Sequence, residues 1–79
     1  MVLYVLTSLD GESNILAQRI YTDLNIAKSR MEREFEIMLS IANDSESEVH
    51  VKDINVDGAE LVFGDDNKRY KWHLKALEC

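Results

Sequence analysis

The chain has no proline, three glycines and a single cysteine among its 79 residues. One cysteine cannot close a disulfide within the chain, so no covalent framework stiffens the domain. Hydrophobic runs are short as well. The apolar stretch near the start covers residues 2–6 with no basic residue before it. That is too short for a signal peptide, and far below the roughly 20 residues that cross a bilayer. With an unpaired Cys79 fitting a reducing compartment, the expected location is cytoplasmic, with no membrane contact.

Catalytic and metal-binding patterns are missing too. No serine lies in a GxSxG context and no glycine-rich phosphate loop occurs. His50, His73 and Cys79 are scattered, without HxxxH or CxxC spacing. The segments "DGESN" and "GDDNKR" lack the alternating oxygen ligands and closing glutamate of a calcium loop. The reading is therefore of a non-enzymatic protein with no cofactor, no metal and no catalytic residue.

What is present bounds the object. Seventy-nine residues make one domain, 1–79, without a linker or internal repeat. A chain of this size buries only about 60% of its unfolded surface. Its core is expected to supply roughly 3–5 kcal/mol of net stability. A permanent partner or self-association would add to that small margin.

The net charge is −6, unevenly distributed. Residues 1–43 carry −2, residues 44–66 carry −7 and residues 67–79 carry +3. Such asymmetry speaks of partners and solubility rather than of fold.

Periodicity supplies the fold. Residues 2–8 are β-rich, "LDGESN" at 9–14 is a loop, and "ILAQRIY" at 15–21 is a second strand, giving a hairpin. Alternation puts Leu3, Val5, Leu16 and Ile20 on its expected buried face, and Tyr4 and Tyr21 on the face a helix leaves open. Leu24, Ala27, Met31, Phe35, Met38 and Ala42 then recur at intervals of three or four, the stripe of an amphipathic helix. Thr22 or Asp23 can cap its first turn, and Asp44 and Ser45 end it. Three more strands follow: "EVHVKDINV", with a phase shift at Asp53–Ile54, then "AELVF" and "RYKWHLKAL". "DG" at 57–58 and "GDDN" at 64–67 are the turns between them. The expected fold is α+β, ββαβββ, an antiparallel sheet with one long helix across one face. The hairpin could join either edge of the meander.

Three features can carry binding. The first is acidic: Asp44, Glu46 and Glu48 follow the helix, and Asp57, Asp65 and Asp66 sit at turns, so all six are expected to form one negative edge. Carboxylates of this kind are common in solubilising turns, and they can also complement a basic groove. The second is apolar: Ile26, Ile37 and Ile41 lie beyond the main helix stripe, a flank suited to a partner or to a second copy of the chain. The third is basic: Arg69, Lys71 and Lys75 share a face of the last strand with His73. They could contact nucleic acid, but Tyr70 and Trp72 fall on the opposite, core-facing side, and Glu60 can neutralise part of the stripe.

The sequence favours a small acidic protein-binding module, an inhibitor or modulator docking on a larger protein such as a nucleic-acid-handling complex with a basic groove. Small phage-encoded inhibitors of host nucleases, anti-CRISPR proteins among them, are comparable in size and charge, which is an analogy and not a shared motif. A nucleic-acid-binding module and a structural homodimer, the latter through the isoleucine flank or an open sheet edge, are the alternatives.

Overall fold

The computed structural model describes residues 1–78. It contains β1 (Val2–Leu9), β2 (Ile15–Tyr21), α1 (Leu24–Asp44), β3 (Val49–Ile54), β4 (Gly58–Phe63) and β5 (Lys68–Glu78). The strands form one antiparallel sheet in the order β2-β1-β5-β4-β3. The N-terminal hairpin therefore joins the meander at β5, and the longest strand occupies the centre.

Asp23 starts the helix. Its backbone is extended, and its carboxylate accepts from the amides of Asn25 (2.8 Å) and Ile26 (3.3 Å). That satisfies donors the first turn leaves free. At the far end, the Ser47 amide donates to the Ala42 carbonyl and the Glu46 amide to that of Asn43. These two bonds make a Schellman motif with Glu46, at φ +57°, in the left-handed position where glycine is usual.

Ala27, Met31, Phe35 and Ala42 are buried against the sheet, with Met38 and Leu39 partly so. Leu24, at the stripe's first turn, is exposed. The sheet answers with Leu6 from β1, Ala59, Leu61 and Phe63 from β4, and Trp72 and Leu74 from β5. Phe35 meets Trp72 edge-on at 5.7 Å, and Phe63 stacks on Tyr70 at 6.0 Å. The Trp72 indole N–H is buried without an acceptor among the described residues. The period-two expectation holds at 59–63 and 70–74, while Ala76, expected on the same face, is exposed.

The phase of the first hairpin differs from expectation. Tyr4, Leu6 and Ser8 face the helix, while Leu3 and Val5 face the other way. Leu16 and Ile20 are exposed rather than buried, and Tyr4 and Tyr21, directly opposed, pack on the core. Residues 3–6 are apolar on both faces, so alternation alone cannot choose between them. Pairing with β5 makes the choice, because Leu6 and Ser8 stand opposite Leu74 and Trp72.

Two local features also shift. The irregularity in β3 lies between Val49 and Val51, leaving His50 as the extra residue, and the strand continues in register to Ile54. Gly58 is the first residue of β4 instead of a turn residue; the chain reverses at residues 55–57, where the Asn55 side chain caps the Asp57 amide at 2.9 Å. A Cβ on Gly58 would collide with the Trp72 carbonyl oxygen, so only glycine lets β4 approach β5 there.

Candidate functional site

The two turns flanking β4 are at opposite ends of that strand. Six residues at about 3.3 Å each separate them by roughly 20 Å. Asp57 therefore stands apart from Asp65 and Asp66, and the expected six-residue edge is corrected by losing it. Consecutive hairpins in a meander must turn at alternate ends.

The other five acids do converge. The Gly64 amide donates to the Glu48 carbonyl at 2.9 Å, and His50 Nε2 lies 2.9 Å from the Gly64 carbonyl oxygen. These bonds tie the α1–β3 connection, with Asp44, Glu46 and Glu48, to the β4–β5 turn, with Asp65 and Asp66. All five side chains are exposed. The β1–β2 loop joins them from the other side, since a Cβ on Gly11 would be 3.5 Å from that of Arg69. Asp10, Glu12, Asn67, Lys68 and Arg69 share one open hollow of about 350 Å³. Asp10 and Glu12 thus lie at the same end of the sheet as the other five acids, beside Lys68 and Arg69, a placement that the antiparallel pairing of β1 with β5 creates and the linear charge count hides.

Asp10 organises its loop. Its Oδ1 accepts from the amides of Asn14 and Glu12, both at 2.9 Å, and Oδ2 from Asn14 Nδ2 at 3.2 Å. The Asn14 amide is the main reason its carboxyl titrates below the ordinary 3.8, against a smaller opposing effect of desolvation. Asp10 therefore stays ionised in mild acid.

The three loops also concentrate left-handed backbone. Ser13, Glu46, Gly64 and Asn67 are the described residues with positive φ, and each is in one of these loops. Gly64 and Asn67 bracket the β4–β5 turn, closed by the Asn67 amide donating to the Gly64 carbonyl at 3.1 Å.

The isoleucine flank is on the β2 side of the helix. Ile26, Ile37 and Ile41 are all exposed, but they do not form one patch. Ile37 and Ile41 are one turn apart, whereas Ile26 is three turns from Ile37, about 16 Å, with Arg30 and Arg33 between. Ile26 borders a hollow with Arg19 and Tyr21; Ile37 borders an apolar groove of about 240 Å³ with Leu16, Ala17, Glu34 and Met38.

The basic stripe is largely engaged. Glu60 Oε2 is 3.3 Å from Arg69 Nε and 3.8 Å from Lys71 Nζ. Lys75 is exposed further along β5, near the exposed His73. Tyr70 and Trp72, the rings that could stack bases, pack on the helix side. Val62, opposite Arg69, is buried on the stripe's own face. The two histidines are kept apart by β4, His50 on β3 and His73 on β5 opposite Gly58. Among the described residues no three His, Cys, Asp or Glu side chains converge as metal ligands, and Cys79 lies outside them. No described helix is long and apolar enough to cross a membrane.

No protein-family model, curated protein or solved structure gives a significant match to the chain. Its functional reading rests on its own geometry.

Proposed function

We propose that this chain is a non-enzymatic protein-binding module of the cytoplasm, an inhibitor or modulator that docks its acidic end on a basic groove of a larger protein. The observation that carries the reading is the placement of Asp10, Glu12, Asp44, Glu46, Glu48, Asp65 and Asp66 at one end of the sheet, Asp44 from the helix end and the others from three separate loops. Carboxylates presented on ordered turns can occupy positions that phosphates take in a nucleic-acid-handling protein, and they speed encounter with a basic surface. Phage-encoded inhibitors of host nucleases remain an analogy of size and charge.

The test is affinity capture by the tagged chain from native lysate of its source cells, with and without nuclease. Bound proteins are identified by mass spectrometry. One stoichiometric protein should survive nuclease, and the Glu48→Gln/Asp65→Asn/Asp66→Asn variant should bind it more weakly with a flatter salt dependence. Unchanged binding by that variant removes the electrostatic reading. Capture abolished by nuclease would favour the nucleic-acid reading through Arg69, Lys71 and Lys75 instead.

A further inference from the structure

The sheet ends in two unequal edges. β3 carries a bulge at His50 and the charged pair Lys52 and Asp53, devices that discourage another strand from adding. β2, "ILAQRIY", has one charged residue, Arg19, and exposes Ile15, Leu16 and Ile20. Its irregularity is confined to Leu16 at one end, and Ala17–Tyr21 pair regularly with β1. This edge, regular over residues 17–21 and carrying a single charge, is a better template for a further strand than β3.

We infer that the occupant is a second copy of this chain, pairing β2 to β2 in antiparallel about a two-fold axis through Gln18 and extending the sheet to ten strands. Self-pairing requires the residue on the axis to oppose itself, which leaves few registers. An axis through Arg19 would set guanidinium against guanidinium, an unfavourable cross-strand pair. An axis through Ala17 would overlap only residues 15–19. The Gln18 axis overlaps the whole strand and opposes Ala17 to the partner copy's Arg19.

Charge then favours that register. Ala17 and Arg19 both lie on the helix face, opposite Ser8 and Leu6. Ala17 also lines the apolar groove that holds Glu34. The partner copy's Arg19 can lay its methylene stem along Leu16 and Ile37 and bring its guanidinium to Glu34. Glu34 has capacity for it: Arg30 Nε is 3.3 Å away but makes no hydrogen bond, and a carboxylate accepts from more than one donor. The same two-fold sets each acidic end beside the partner's opposite end, keeping the two carboxylate clusters apart and both open to solvent.

The test uses cysteine cross-linking in a Cys79→Ser background. Gln18 is exposed, and its side chain bonds only Thr7 Oγ1, at 3.1 Å. Self-opposed Cα atoms in an antiparallel pair fall within disulfide range. Gln18→Cys should cross-link to a covalent dimer under mild oxidation, Arg19→Cys and Thr22→Cys should not, and light scattering of the unsubstituted chain should give double the single-chain mass. A single-chain mass at tens of micromolar, or equal cross-linking at all three positions, overturns the proposal. A ladder of higher species overturns it in favour of β2-to-β3 pairing.

Discussion

The Glu60 carboxylate stands 3.3 Å from the Arg69 guanidinium across the β4–β5 ladder, and it also reaches Lys71. One acid thereby restrains two of the three cations that could contact phosphate. All three side chains are at least a third exposed, so the pairing contributes little to stability, about 0–1 kcal/mol. Glu60→Gln should leave the urea midpoint nearly unchanged and lengthen retention on a phosphate-rich resin at low salt. A large stability loss would mean that the pair holds the sheet together.

Glu46 occupies the position after the helix where glycine is favoured, at φ +57°. A left-handed non-glycine residue is disfavoured by roughly 1–2 kcal/mol. Glu46→Gly should raise stability by about 1 kcal/mol, a melting shift of some 4–8 °C for a domain of this size. Glu46→Asn should recover part of that gain, because Asn tolerates the conformation. Thermal melts followed by circular dichroism check both.

Glycines 11 and 58 should respond unequally to alanine. A Cβ at Gly11 meets only ordinary contacts near Arg69, whereas one at Gly58 meets the Trp72 carbonyl. Gly58→Ala must push β4 from β5 and should destabilise by about 1–3 kcal/mol, as other overpacked sites do. Gly11→Ala should stay within about 0.5 kcal/mol of the parent, the usual range for surface substitutions. Equal denaturation midpoints for the two variants would contradict the close approach.

Asp10 predicts an acid limb. Its folded carboxyl titrates below the unfolded value of 3.8, mainly because the Asn14 amide bonds the ionised form. The sign follows from linkage: the stabilisation is complete above the unfolded value and is lost as the pH falls through the folded one. Asp10→Ala should therefore flatten stability against pH in that acidic window and simply lower it at neutrality. Urea titrations across the acid range measure the slope; an unchanged slope would show that the carboxyl is not held ionised by its loop.

Much of the fold was legible in the chain. The three- and four-residue spacing over residues 27–42 marks the helix, Thr22 or Asp23 its start, and the alternations 59–63 and 70–74 the core face of β4 and β5; the folded chain selects Asp23. The phase of β1 was not legible, because Leu3, Tyr4, Val5 and Leu6 offer apolar groups to both faces and long-range pairing decides. The acidic end was half legible. Charge spacing along the chain groups Asp57 with Asp65, although alternate turning of successive hairpins separates the two. Asp10 and Glu12 are not legible as neighbours of the β4–β5 turn, because nothing local shows that β1 lies beside β5. Helical spacing sets the isoleucines off the core stripe, where they are exposed, while their division into two groups by Arg30 and Arg33 becomes clear only on the folded helix.

The strand order has a consequence for biosynthesis. β5 comes last of the elements along the chain yet lies between β1 and β4, so until it is made the sheet exists only as two hairpins that share no hydrogen bonds. The helix has no continuous surface to cover before then, and Trp72 and Leu74, two of its main contacts, have not yet been added. Assembly must wait for residues 68–78 to clear the ribosome, and then it involves pairings between distant parts of the chain, which form slowly. A chain that stops before Trp72 lacks both of the β5 side chains that complete the core under the helix.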